Sequence, residues 1–415
     1  MENTDNFCVF PWTHLFVDPV GSFYTCCLGP ATPHQSRHHD GRGINASEKG
    51  AITKHWHSLS MMKIRSELLR GSKSEACLPC WRVEDSGGKS YRQIANETYT
   101  IGQQNPLDQQ PAPSFQFVDL RFGNLCNLAC RMCIPYSSKK LIPEYAEMFG
   151  EEAVAPYAKL DWFESPDFWE ELFQYSSDLK KIHLAGGEPL LIKECWKFLK
   201  RLIDNGLSKN LILSYNTNLS VLPEEARELW PSFKEVHIMA SMDGVGKVND
   251  FIRYPLEWEV FEKNLKTLDQ EREAYNVHHL EIHPTAQVYN IKRITEICDY
   301  IATNFKNMIP VPRFDIVYWP VEFDPQILPT FYREEAAKII ESYIKDLQAG
   351  RNNLTHSHRD QLIQNLKSLI YHLRGGDKSE HFHSFKRLND IFDRHRSQRT
   401  FSFIPELERA YGSAP

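Results

Sequence analysis

Between Phe115 and Trp319 the chain alternates apolar, strand-like runs with helix-compatible stretches, and no other feature limits the fold as much. The runs are Phe115–Phe122, Lys181–Ala185, Leu211–Asn216, Glu235–Ser241, Leu280–Val288 and Arg313–Trp319. Segments such as Lys193–Asn205 and Glu224–Trp230 fall between them. Six strands spaced by helices predict parallel β/α units with right-handed crossovers. The expected class is α/β, a partial (β/α)6 barrel of the TIM type, with its active site at the carboxyl ends of the strands.

The flanks read differently. Gly21, Gly29, Pro30, Pro33, Gly41 and Gly43 interrupt the first hundred residues, which predicts an irregular region. Within it a short strand is expected over Ser22–Thr25. A helix is expected over about His55–Arg70, where Trp56, Leu59, Met62 and Leu68 or Leu69 recur near helical spacing. Gly102 to Pro113, rich in Gln, Asn and Pro, reads as a linker. Beyond Pro329 the chain is charged and helical, with helices expected over Glu334–Leu347, Arg359–Leu373 and Phe385–Arg394. The expected domains are an N-terminal region 1–101, a linker 102–114, a barrel 115–329 and a C-terminal packing extension 330–415.

Composition narrows the function classes. The 415 residues carry a net charge of −6, which gives no general reason to expect nucleic-acid binding. No apolar run is long enough to cross a membrane. Met1 to Asn6 is polar and lacks a signal-peptide pattern, so a cytoplasmic protein is expected. Ten cysteines in such a compartment are not a disulfide framework. Their grouping points to metal sites instead. Only Cys195 and Cys298 stand apart, as buried small apolar residues.

The tightest group is Cys126-Asn127-Leu128-Ala129-Cys130-Arg131-Met132-Cys133, directly after the first barrel strand. Three thiolates on one loop can hold three irons of a cubane cluster and leave the fourth iron open for chemistry. A zinc site would need a fourth nearby ligand, and none follows in the loop. The C-x3-C-x2-C spacing resembles the signature of the radical S-adenosylmethionine (SAM) superfamily. That resemblance implies a four-iron, four-sulfur cluster whose open iron is chelated by the amino and carboxylate groups of SAM. One electron then breaks the sulfur–C5′ bond, and the 5′-deoxyadenosyl radical abstracts a substrate hydrogen. The resemblance extends to later strand ends. Gly186-Gly187-Glu188-Pro189 ends the second strand, and there Glu188 would accept from the SAM ammonium. Asn218, Ser241, Asp243 and Arg253 match further polar SAM contacts, with Arg253 set against the carboxylate. Asn290 resembles an adenosine contact. Met132 departs from the usual aromatic residue before the last cysteine, and a thioether can still pack against adenine.

A second constellation opens with Cys8-Val9-Phe10-Pro11-Trp12, continues through Asp18-Pro19-Val20-Gly21 to Cys26-Cys27, and closes with Cys77-Leu78-Pro79-Cys80-Trp81. Four thiols of this kind suit zinc or an iron–sulfur cluster, and spacing alone leans to zinc. The pattern resembles the twitch and SPASM domains, which hold auxiliary four-iron, four-sulfur clusters in radical SAM enzymes. Glu84, Ser90 and Arg92 add to the likeness. In this sequence the cysteines precede the barrel, whereas such domains usually follow it. The resemblance implies one auxiliary cluster on Cys8, Cys26, Cys77 and Cys80, with Cys27 the alternative to Cys26.

Taken together, the resemblance implies oxidative modification of a peptide or protein. A radical dehydrogenase or epimerase acting on a small molecule is the alternative. An iron–sulfur electron carrier or zinc-stabilised binding protein is the reading from another class, and it would have no need of the GGEP segment or of Ser241-Met242-Asp243-Gly244. The expected partners are a reductant such as ferredoxin or flavodoxin and the peptide or small-molecule substrate. Neither nucleic acid nor membrane is expected. Asp119, Arg121, His283, Gln287 and Asp315 alternate with apolar neighbours and are candidates for substrate handling, on whichever face of the sheet points inward.

Overall fold

A computed structural model describes residues 6–29, 34–101, 113–350 and 354–413. Nearly all of the expected linker, at 102–112, lies outside the described residues.

The strands are β1 (His14–Val17), β2 (Phe23–Tyr24), β3 (Phe117–Arg121), β4 (Lys181–Ala185), β5 (Ile212–Thr217), β6 (Glu235–Ala240), β7 (Val277–Ile282), β8 (Thr285–Ala286) and β9 (Asp315–Ile316). Seven of them form one sheet in the order β2-β1-β3-β4-β5-β6-β7. β1, β3, β4 and β5 are mutually parallel, and β2 is antiparallel to β1. The protein is thus α/β, as the alternation predicts, and no pairing closes the sheet among the described residues.

Register explains the periodicity. Leu15, Val118, Ile182 and Leu213 lie in one row across β1, β3, β4 and β5, all essentially inaccessible. The next row is Phe16, Asp119, His183 and Ser214, on the opposite face because side chains alternate along a strand. One face is therefore apolar core and the other carries polar groups. The helix Lys193–Asp204 buries Cys195, Trp196, Phe198, Leu199 and Leu202, the stripe that helical spacing produces. Cys195 and Cys298 are both buried on helices.

Three segments depart from expectation. The N-terminal hundred residues supply β1 and β2 to the sheet, together with the helices Ala51–Trp56, Leu59–Leu69, Leu78–Asp85 and Tyr91–Thr98. The single helix expected over His55–Arg70 is two, because the Ser58 side chain caps the second by accepting from the Met61 amide at 3.3 Å. The run Leu280–Val288 breaks around Pro284, which has no N–H for a ladder. After the break β8 pairs with β9 in a separate two-stranded sheet. The expected sixth strand thus lies outside the main sheet.

The C-terminal helices run longer than expected, over Thr330–Gln348, His356–Gly375 and Phe382–His395. The chain divides into two compact units. The first comprises residues 1–125, 159–215 and 228–236, and the second 126–158, 216–227 and 237–415.

Candidate functional site

In the first unit, Cys8, Cys26, Cys77 and Cys80 line one small cavity with Phe10, Tyr91 and Arg92. An ion pair frames it. Arg92, on the helix Tyr91–Thr98, meets Glu84 through Nε at 2.9 Å and Nη2 at 2.6 Å, while its Nη1 donates to the Phe7 carbonyl at 2.6 Å. Ser90 caps the same helix and donates to Glu84 at 2.5 Å. Asn96 holds the peptide groups on both sides of Cys8, donating to the Phe7 carbonyl and accepting from the Val9 amide, each at 2.8 Å. Glu84, Ser90 and Arg92 therefore set the position of Cys8 relative to Cys77 and Cys80.

The thiols of this group feel one another. Burial, then the negative fields of Cys77 and others, pushes Cys8 up. Cys77 is pushed up to about 12 by burial and Cys80. Cys27 has a different setting. Burial first, then the carboxylate of Asp119, pushes it to about 12, against Arg121. Asp119 and Arg121 pair at 2.7 Å on the polar face of β3. Among the described residues no three His, Cys, Asp or Glu side chains are drawn together tightly enough for a single metal ion. All ten cysteines are free thiols.

The first unit also holds the Gly186-Gly187-Glu188 turn after β4. Both glycines have positive φ, 75° and 51°. A Cβ on Gly186 would lie 2.7 Å from the Arg121 carbonyl carbon, and one on Gly187 would lie 2.5 Å from the Leu125 oxygen. The pair is needed because backbone following β3 passes against it. Glu188 is inaccessible; its amide donates to the Leu125 carbonyl at 2.9 Å and its carboxylate accepts from the Leu190 amide at 3.2 Å.

In the second unit, the loop from Cys126 to Cys133 is fastened by backbone and side chain. Its Ala129 and Arg131 amides donate to the Tyr254 and Ile252 carbonyls at 2.6 and 2.7 Å. Tyr145 donates to the Cys133 carbonyl at 2.9 Å. The Cys126 sulfur accepts from the Leu128 amide at 3.4 Å and from Asn218 at 3.6 Å. Such donors stabilise a thiolate. Cys130 is pulled below the usual thiol range, first by the hydrogen bond from Cys133 and then, against burial, by Arg253 and Arg396. Three thiols on one loop, with donors and cationic groups around them, fit an iron–sulfur cluster. Met132 is buried beside them.

Several residues singled out in the sequence meet here. Asp243 is inaccessible, pairs with Arg253 at 2.8 Å and accepts from the Thr285 amide at 2.7 Å. Burial raises the Asp243 carboxyl; burial works against the Arg253 guanidinium, and Asp243 together with Cys130 and Cys133 more than offsets it. Asn290 uses its Nδ2 on the Asp243 and Thr285 carbonyls at 3.0 and 2.9 Å, so its amide clasps the Asp243 loop. The Ser241 amide donates to the Thr217 carbonyl at 2.9 Å. Sequence reading missed that Asp243 and Arg253 neutralise each other. It also missed Arg131, a fully buried cation between two of the loop cysteines. A charged residue inside a cysteine motif was the available signal.

A three-thiol loop shortly after β3 of a mostly parallel α/β sheet has the donor set that an iron–sulfur cluster at a strand end would need. The model of the Radical SAM superfamily matches residues 120–286, the stretch that carries the cysteine loop and the GGEP turn. The family uses SAM with a four-iron, four-sulfur cluster. Solved structures with some similarity include Streptococcus suis SuiB bound to precursor peptide SuiA, at 13% identity and TM-score 0.37, covering 69% of this chain and 63% of that one. Another is anSMEcpe with bound AdoMet and Cp18Cys peptide, at 13% identity and TM-score 0.35, covering 57% and 62%. This chain spans a little under two thirds of the length of either. No helix among the described residues is long and apolar enough to cross a membrane.

Proposed function

We propose that the protein cleaves SAM reductively and abstracts hydrogen from a peptide or protein in an oxidative modification. The observation that carries this reading is the presence of two thiol sets of different kind, three on the loop Cys126–Cys133 and four around the cavity of Cys8, Cys26, Cys77 and Cys80. The first would hold the cluster that opens SAM. The second resembles a twitch-type site, and Cys26 is proposed as its fourth ligand; that it lines the cavity with the other three supports this choice over Cys27.

When bound, the loop cluster and SAM together supply a hydrogen-abstracting radical, and a second cluster supplies an acceptor for one electron. The chain's own residues bind and orient. Asn218 donates to Cys126 and holds that sulfur in a ligating position. The paired Asp243 and Arg253 place a fixed dipole beside Cys130, and Asn290 keeps the Asp243 loop in place. Glu188, after the glycine pair, is proposed to accept from the SAM ammonium, and Ser241, directly after β6, is proposed as a further SAM contact.

The test is anaerobic. Reconstituted protein should hold about eight irons and eight sulfides, two cubanes' worth. After dithionite reduction with SAM it should release 5′-deoxyadenosine and methionine. Mass spectrometry of a short peptide encoded beside this protein, after incubation, should show loss of a hydrogen pair. Zinc in place of about four of the irons would sink the auxiliary cluster, and the oxidative reading with it.

A further inference from the structure

The geometry points to the C-terminal helix Phe382–His395 as a working part of the cluster site: it holds the cysteine loop in its ligating shape through Arg131. This inference rests on the radical SAM reading of the loop. It assigns a role to a segment that sequence alone marks as packing.

Arg131 stands between Cys130 and Cys133 and is fully buried. Its Nη1 donates to Asn389 Oδ1 at 2.8 Å, and its Nη2 donates to Asp393 Oδ1 at 2.6 Å and Gln398 Oε1 at 2.9 Å. Its guanidinium lies 3.8 Å from the centre of the Phe251 ring. A guanidinium taken wholly out of water is expensive unless its hydrogens find acceptors. Here the acceptors come from the C-terminal helix and the turn after it. The Arg131 amide meanwhile donates to the Ile252 carbonyl at 2.7 Å. Main chain and side chain of one residue are thus fixed from two directions.

A second tie runs the other way. Arg396, just past the same helix, meets Glu144 through Nε at 2.7 Å and Nη2 at 3.1 Å, both side chains being buried. The residue after Glu144 is Tyr145, whose hydroxyl holds the Cys133 carbonyl. One pair draws a cation of the loop to the helix, and the other sends a cation from the helix to the segment gripping Cys133. Packing alone would be served by apolar contacts, and buried pairs of this kind are best attested where a single register must be chosen.

Arg131 and Asp393 are positioning residues on this account. The test compares wild type with Arg131→Met, which keeps an unbranched apolar stem over Phe251, and with Asp393→Asn, which removes the charge and turns one of the two accepting oxygens into a donor. Amide exchange at Ala129 and Arg131, followed by mass spectrometry on metal-free protein, should speed up at least tenfold in either variant. Exchange in β3 and β4 should be unchanged. On reconstitution, iron should fall toward the amount held by the N-terminal thiols alone. The electron paramagnetic resonance signal should lose its response to SAM. Should Arg131→Met not fold, the result in Asp393→Asn decides. Folded Asp393→Asn with wild-type exchange, iron content and SAM response would overturn the inference. Wild-type protein that itself binds no cluster would instead defeat the function proposed above, and the exchange readout keeps the two failures apart.

Discussion

The two thiol sets are built in opposite ways. Cys8, Cys26, Cys77 and Cys80 come from separate places in the chain, yet the frame that orders them is local: one Glu84–Arg92 pair and the Asn96 amide, all within the first hundred residues. Cys126, Cys130 and Cys133 come from one short loop, but their anchors are distant, and Asp393 lies 262 residues from Arg131. Four thiols around an apolar cavity can satisfy every iron of a cubane, whereas three leave one iron for a ligand from outside. The closed set needs only to be kept together. The open set has to be kept in register, which accounts for the buried pairs Arg131–Asp393, Arg253–Asp243 and Arg396–Glu144.

The largest effect should come from the open set. Replacing Cys126, Cys130 and Cys133 together by Ala should abolish release of 5′-deoxyadenosine and leave about four irons per chain. Cys77→Ala with Cys80→Ala should do the converse: about four irons remain, SAM is still cleaved and product formation stops. Circular dichroism must show that this variant is folded, since losing a cluster can unfold its surroundings. If the folded variant turns over substrate at the wild-type rate, the closed set is structural and the two sets differ only in construction.

How much of this contrast the sequence displayed depended on the range of the interactions. The cysteine trio, the glycine pair and β4 to β6 were legible because each is set by local spacing. The place of β1 was not: a strand is expected between Trp12 and Asp18, but only the fold shows that His14–Val17 pairs in parallel with β3 a hundred residues on. The glycines of the GGEP turn were visible, but their reason was not. They admit the backbone of Phe122 and Leu125, a contact no local pattern encodes. Asp243 and Arg253 are each expected from the sequence to be cofactor contacts, and only the fold shows that they pair at 2.8 Å.

A smaller effect should separate the two frames without touching any thiol. Glu84→Gln leaves Arg92, whose side chain is 5% exposed, without its carboxylate. Stripping one partner from a buried pair should lower stability by about 3 kcal/mol. Urea unfolding of the anaerobic holoprotein would show it, and the N-terminal cluster should be lost first. A change under about 0.5 kcal/mol, the usual size for an exposed pair, would mean that this frame does not hold the closed set.

The smallest effect concerns protons, and it too belongs to the first unit. His14 and His55 are fully buried, and burial lowers both to about 3. His14 Nδ1 donates to the Phe117 carbonyl at 3.0 Å and His55 Nδ1 bonds Ser36 Oγ at 2.7 Å, while neither Nε2 has a partner. A second proton on either ring would therefore be a charged N–H without an acceptor. In the unfolded chain both rings take a proton near pH 6.5. Their contribution to stability is then complete above about pH 6.5 and is lost progressively as pH falls toward 3, because the unfolded state binds protons that the folded state refuses. Between about pH 7.5 and pH 5.5 each histidine should remove about 1.4 kcal/mol. Anaerobic urea unfolding at several pH values measures the slope, and His14→Gln should remove about half of it, since one of two proton acceptors is gone. The loss should register as faster amide exchange in β1 and β3 and not in the cysteine loop, whose fastening uses no histidine. A stability curve flat across that range would show that both rings reach water and that the wall formed by β1 is looser than its burial implies.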